Sequence, residues 1–116
     1  MSDVVENIKK LVIDALEDMK AVDMVVLDVR EKSNVTDYMV IVSGTSNRHL
    51  KAMANNVVVE AKKAGITPLG VEGEDQAEWV LVDMGDVVVH IMLQDTRDFY
   101  QLEKLWSEDS PEEQAG

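Results

Sequence analysis

The chain has 116 residues, with 23 acidic against 11 basic side chains, a formal net charge of −12, 46% hydrophobic and 29% charged residues, and no cysteine. That length fits one domain with one core, and the apolar fraction is that of a chain that folds. The missing cysteine excludes disulfides, thiolate metal sites and a cysteine nucleophile, while the negative field repels phosphate backbones and anionic lipid, so neither direct nucleic-acid readout nor a membrane partner is expected.

Val4, Val5, Ile8, Leu11, Val12, Ala15, Leu16 and Met19 recur at three- and four-residue steps, which predicts a helix from Val4 to Lys20 with one apolar stripe. Asp3 is placed as its cap, with Glu6 in the role of a capping-box partner. Asp3, Glu6, Lys9 and Lys10 interrupt the apolar pattern, so the segment reads as neither a secretory signal nor a transit peptide, and the expected location is cytoplasmic.

Met24 to Val29 and Asp37 to Ser43 are β-branched runs separated by a turn, and the continuous apolar stretch Met39 to Val42 predicts a strand covered on both faces. Gly44-Thr-Ser-Asn47 then turns the chain into a second helix carrying Leu50, Met53, Ala54, Val57, Val58, Ala61 and Ala64, closed by Gly65. Pro68 to Glu72, Glu78 to Asp83 and Val87 to Leu93 read as strands, the last two a hairpin turning at Met84-Gly-Asp86.

Asp95 is placed as the cap of a single final helix with Phe99, Leu102, Leu105 and Trp106 on one face, Leu105 and Trp106 forming an apolar lid. The predicted class is therefore α/β (α+β): one domain over residues 1–106, in the order α-β-β-α-β-β-β-α around a mixed sheet of about five strands. Residues 107–116 are acid-rich and without a large apolar side chain, and are expected to form a disordered tail.

Candidate chemistry is sparse. The Gly44 turn leads into a helix start that could receive a phosphate, but it lacks both the Walker and the dinucleotide glycine patterns, and capping with chain reversal is the favoured reading over ligand binding. Asp83 and Asp86 flank a hairpin turn, where Asp is a common turn residue; two carboxylates alone do not make a hard-cation site. His49 and His90 have no ligand spacing, and no serine sits in a nucleophile elbow, so neither a metal nor a cofactor is expected.

Trp79 is the exception. It alternates onto the face of Leu81 and Asp83 in a segment where no Lys or Arg occurs between Lys63 and Arg97 but Glu72, Glu74, Asp75, Glu78, Asp83, Asp86 and Asp95 do. Trp79 in the core and Trp79 as an interface anchor for a basic protein both fit that pattern, as does a merely solvated acidic face.

Asp28, Lys32-Ser33, Thr36-Asp37-Tyr38, Ser43-Gly-Thr-Ser-Asn-Arg-His49, Pro68-Leu-Gly-Val-Glu-Gly73, Trp79, Asp83-Met-Gly-Asp86, His90 and Tyr100-Gln-Leu-Glu-Lys-Leu-Trp106 together resemble the Iojap, or ribosomal silencing factor, family along nearly the whole chain. The resemblance implies a nucleotidyltransferase-like fold without the catalytic carboxylates, homodimers in isolation, and no enzymatic activity. It also implies binding to the large ribosomal subunit through ribosomal protein L-fourteen, which blocks the small subunit and represses translation under nutrient limitation. Partner contacts are expected from Trp79, Asp83, Asp86 and His90, followed by Tyr100, Leu105 and Trp106. The competing expectation is a divergent nucleotidyltransferase-like enzyme using the Gly44 turn with Asp83 and Asp86.

Overall fold

The computed structural model describes residues 2–34 and 36–106, so the expected acidic tail, 107–116, lies outside the described residues. The chain runs α1 (Ser2–Asp18), β1 (Val22–Asp28), β2 (Tyr38–Gly44), α2 (Asn47–Lys63), β3 (Gly70–Glu72), β4 (Trp79–Asp83), β5 (Val87–Leu93), α3 (Gln94–Tyr100) and α4 (Leu102–Trp106).

The strands form one five-stranded sheet in the order β1-β2-β5-β4-β3. β2 and β5 pair in parallel from Tyr38↔Val87 to Gly44↔Leu93, and the other neighbours are antiparallel. β2 lies second in this order and is buried at every position, as its unbroken apolar run requires of a strand with both faces covered.

The two faces of the sheet are covered unequally. On one, α1 and α2 lay Ile8, Val12, Leu16, Leu50, Met53 and Val57 against Val40, Val42, Val80, Val82, Val89 and Ile91 in the main core. On the other, Val29, Met39, Ile41 and Met92 form a smaller core against which Leu27, Trp79 and Leu102 pack. Removing these apolar side chains from water, at about 25 cal/mol per Å², is the main drive for assembly.

Local chemistry fixes the ends of α2. Ser46 is its N-cap, the hydroxyl accepting from His49 N–H at 3.1 Å. At the other end Gly65, at φ +80°, lets Ile66 N–H reach Ala61 C=O at 2.8 Å and its own N–H reach Lys62 C=O at 3.0 Å, a Schellman closure. His49 then joins the two helices: its Nδ1 accepts from Thr45 N–H at 3.0 Å, which leaves Nε2–H to donate to Met19 C=O at 2.7 Å.

Four expectations at the chain ends are corrected. Helix α1 already includes Ser2 and Asp3, so Asp3 is not its cap; the Asp3 side chain lies outside the described residues, and Glu6 pairs with Lys9 and accepts from the Tyr38 hydroxyl instead. Asp95 is not a cap either, because β5 runs straight into α3 with Leu93 at the N-cap position and no side-chain cap bond. The single final helix is two short ones, broken at Gln101 with φ 49° and ψ 47°. Phe99 and Leu102 therefore part company: Leu102 packs on the sheet while Phe99 is 79% exposed. Leu105 is 56% exposed and closes no core, and the Trp106 side chain lies outside the described residues.

Candidate functional site

Trp79 opens β4 opposite Met92, and Leu81 stands opposite His90, so Trp79 and His90 are diagonal neighbours on the less covered face of the sheet. The indole N–H donates to His90 Nδ1 at 3.0 Å, with the ring centroids 5.9 Å apart. An accepting Nδ1 places the proton of the neutral imidazole on Nε2. Burial pushes the His90 pKa down to about 4, so the ring stays neutral near pH 7 and the bond persists.

Tyr100, at the end of α3, packs its ring 4.8 Å from that of Trp79, and Phe99 meets Tyr100 edge-on at 4.9 Å and 84°. Such tilted and edge-to-face pairs suit the ring quadrupoles. Between these rings and the loop before β4 runs a groove of about 440 Å³, rimmed by the carboxylates of Glu78 and Asp95. Gly73 forms part of its wall at φ +86°, where a Cβ would collide with the Trp79 carbonyl.

The scaffold behind the groove is tied by polar side chains. Asn47 Nδ2 donates to the carbonyls of Gln76 and Ala77 at 3.1 and 2.9 Å, holding the loop to the start of α2. Arg97, only 5% exposed, donates from Nη1 to Ser43 Oγ at 2.9 Å and from Nε to Glu103 Oε2 at 3.1 Å, bracing α3 and α4 across their break. Glu103 Oε1 is buried without a hydrogen-bond partner among the described residues.

Trp79, His90 and Tyr100 are thus brought together, and Asp83 and Asp86 are not. Asp83 lies four residues along β4 from Trp79, about 13 Å away at strand rise, and its Oδ1 accepts from Gly85 N–H at 2.8 Å. Asp86 is exposed in the turn, where its carbonyl receives the N–H groups of Asp37 and Tyr38. Of Glu78, Asp83 and Asp86, the carboxylates expected around Trp79, only Glu78 lines the groove, and Asp95 joins it there. Asp95 has the position of a helix cap and Phe99 the spacing of a packed helix face, so residue type alone hides both from the groove; the adjacent Phe99-Tyr100 pair is the one signal the sequence carries for it.

The Gly44 turn and the Asp83/Asp86 pair do not make one site. Gly44 aligns with Leu93, whereas Asp83 and Asp86 flank the turn next to Val87, which aligns with Tyr38, so the two features sit at opposite ends of the sheet, about 20 Å apart. Gly44 has a packing reason to be glycine: a Cβ there would stand 2.5 Å from Leu50 Cδ1 and 2.7 Å from Met53 Cε. Among the described residues no group of three or more His, Asp or Glu side chains gathers to hold a metal ion, and no helix is long and apolar enough to cross a membrane.

These features define a single α+β domain with one less covered sheet face and an aromatic, acid-rimmed groove beside it. Residues 2–115 match the family described as "Ribosomal silencing factor during starvation". The chain is 48% identical over 98 residues to the Haemophilus influenzae protein named ribosomal silencing factor RsfS, covering 84% of this chain and 96% of that one. A crystal structure of a Chromobacterium violaceum protein superposes with a TM-score of 0.86 at 48% identity, covering 88% of this chain and 85% of the other. A mouse protein named mitochondrial assembly of ribosomal large subunit protein 1 is 42% identical over 100 residues, covering 84% of this chain and 44% of its own length. The chain belongs to the ribosomal silencing factor family, which includes the Iojap proteins.

Proposed function

We propose that this chain binds the large ribosomal subunit through ribosomal protein L-fourteen and represses translation under nutrient limitation by occupying the face the small subunit must approach. The supporting observation is the groove: Tyr100 and Phe99 stand 51% and 79% exposed beside Trp79, with Glu78 and Asp95 on the rim of an acidic protein. Aromatic anchors of this kind supply most of the energy at protein interfaces, and the surrounding charge selects a basic partner and speeds encounter.

Trp79, His90 and Tyr100 form the centre of the proposed contact. Asp83 and Asp86 lie toward its rim as steering charges, and Leu105 and Trp106 on α4 extend it. The output is steric exclusion, so the chain acts without catalysis or a cofactor. It works in the cytoplasm, where subunits meet, and forms homodimers when free.

Sucrose-gradient sedimentation of purified subunits tests this reading. The chain is expected to travel with large subunits and to reduce joined ribosomes as it saturates them. Normal joining at saturation, or migration with small subunits alone, overturns it.

A further inference from the structure

We infer that the groove between β4 and α3 is a socket for one arginine side chain of the partner, with the guanidinium stacked against the Phe99–Tyr100 ring pair and paired with Glu78 and Asp95. This deepens the docking reading above and rests on it.

Size, exposed surface and charge all point to that occupant. A volume of about 440 Å³ admits a long side chain together with the backbone that delivers it, and is small for a folded element. Phe99 and Tyr100 line the groove and remain 79% and 51% exposed, so aromatic surface there is accessible to an incoming side chain. Flat aromatic faces attract a planar, weakly hydrated cation.

The carboxylates come from two separate elements, Glu78 just before β4 and Asp95 in the first turn of α3, and both line the groove. Both are exposed and neither takes part in an ion pair among the described residues. A guanidinium presents five donors in a fixed fork, so it can serve an acid on each rim while its plane rests on a ring; an ammonium is a compact, strongly hydrated point charge with no plane to lay on the ring. An apolar occupant would make no use of the two acids and could only displace water from them, and an anionic one would be repelled.

Titration calorimetry of the full chain against purified ribosomal protein L-fourteen tests the socket with Glu78→Gln and Asp95→Asn, exposed near-isosteric changes that leave the fold intact. Each is expected to weaken binding about tenfold, consistent with loss of one charge-assisted pair. Arginine-to-lysine changes across the docking face of the partner are expected to single out one position whose loss is non-additive with Glu78→Gln and Asp95→Asn.

Undiminished affinity in both acid variants overturns the socket while leaving L-fourteen docking in place. So does a partner in which every arginine tolerates lysine at full affinity. A wild-type chain with no affinity for L-fourteen removes the docking reading itself and the socket with it.

Discussion

Trp79 donates its indole N–H to Nδ1 of His90, which ties the tryptophan at the edge of the groove to a nearly buried histidine on the neighbouring strand. The bond needs a neutral imidazole, and the surroundings of His90 enforce one. With its pKa lowered from 6.5 to about 4, the folded chain binds this proton less readily than the unfolded chain does. Stability from this group is therefore complete above pH 6.5, declines as pH falls toward about 4, and is then lost. The span corresponds to about 3 kcal/mol. Chemical denaturation between pH 7 and 4 is expected to show this slope, and His90→Gln, which cannot titrate and keeps an acceptor for the indole, is expected to flatten it. Equal slopes in the two proteins would contradict the assignment.

The separation of Trp79 from Asp86 predicts two kinetic signatures on L-fourteen. Trp79→Ala removes an anchor and is expected to cost about 2 kcal/mol, roughly a 30-fold loss of affinity seen mainly as faster dissociation. Asp86→Lys alters a rim charge and is expected to slow association, more so at low salt, with dissociation nearly unchanged. Surface plasmon resonance at two ionic strengths separates the two; unchanged rates in both variants would remove β4 and β5 from the interface.

Arg97 is the brace of the α3–α4 segment. Arg97→Met is expected to destabilise the chain by about 2 kcal/mol, moderated because Glu103 retains some contact with water. Adding Glu103→Leu to Arg97→Met is expected to restore most of the loss, since it removes the stranded carboxylate. Melting temperatures of the two variants decide this: a double variant less stable than the single one would show that the ion pair is not the reason Arg97 is buried.

Gly73 reaches φ +86° against the carbonyl of Trp79. Gly73→Ala is expected to cost about 2 kcal/mol and to displace the tryptophan. Near-ultraviolet circular dichroism of the indole reports the displacement, while Gly70→Ala, where a Cβ meets only a flexible Glu72 oxygen at 3.9 Å, serves as the control.

Periodicity was enough to locate the sheet and the two long helices, because burial acts on them one residue at a time. The stripe from Ile8 to Leu16 and the run from Met39 to Val42 carry their environment in their own spacing. The groove was less legible, since it depends on pair relations. That Trp79 meets His90 follows from the β4–β5 register, and that Tyr100 meets Trp79 follows from where α3 stops. Gln101 carries no glycine signal for its left-handed backbone, and a buried arginine runs against the usual preference of that side chain for water, so neither the break nor its brace could be read from residue type.

The Gln101 elbow also makes the aromatic pair sensitive to chain length. Each added or deleted residue in α3 turns whatever follows it by about 100° around the helix axis. One residue inserted between Arg97 and Phe99 would swing Phe99 and Tyr100 off the groove while leaving Arg97 in its place against Ser43. The spacing from Arg97 to Tyr100 thus works as a gauge, and relatives that alter it would need a different set of anchors for the same surface.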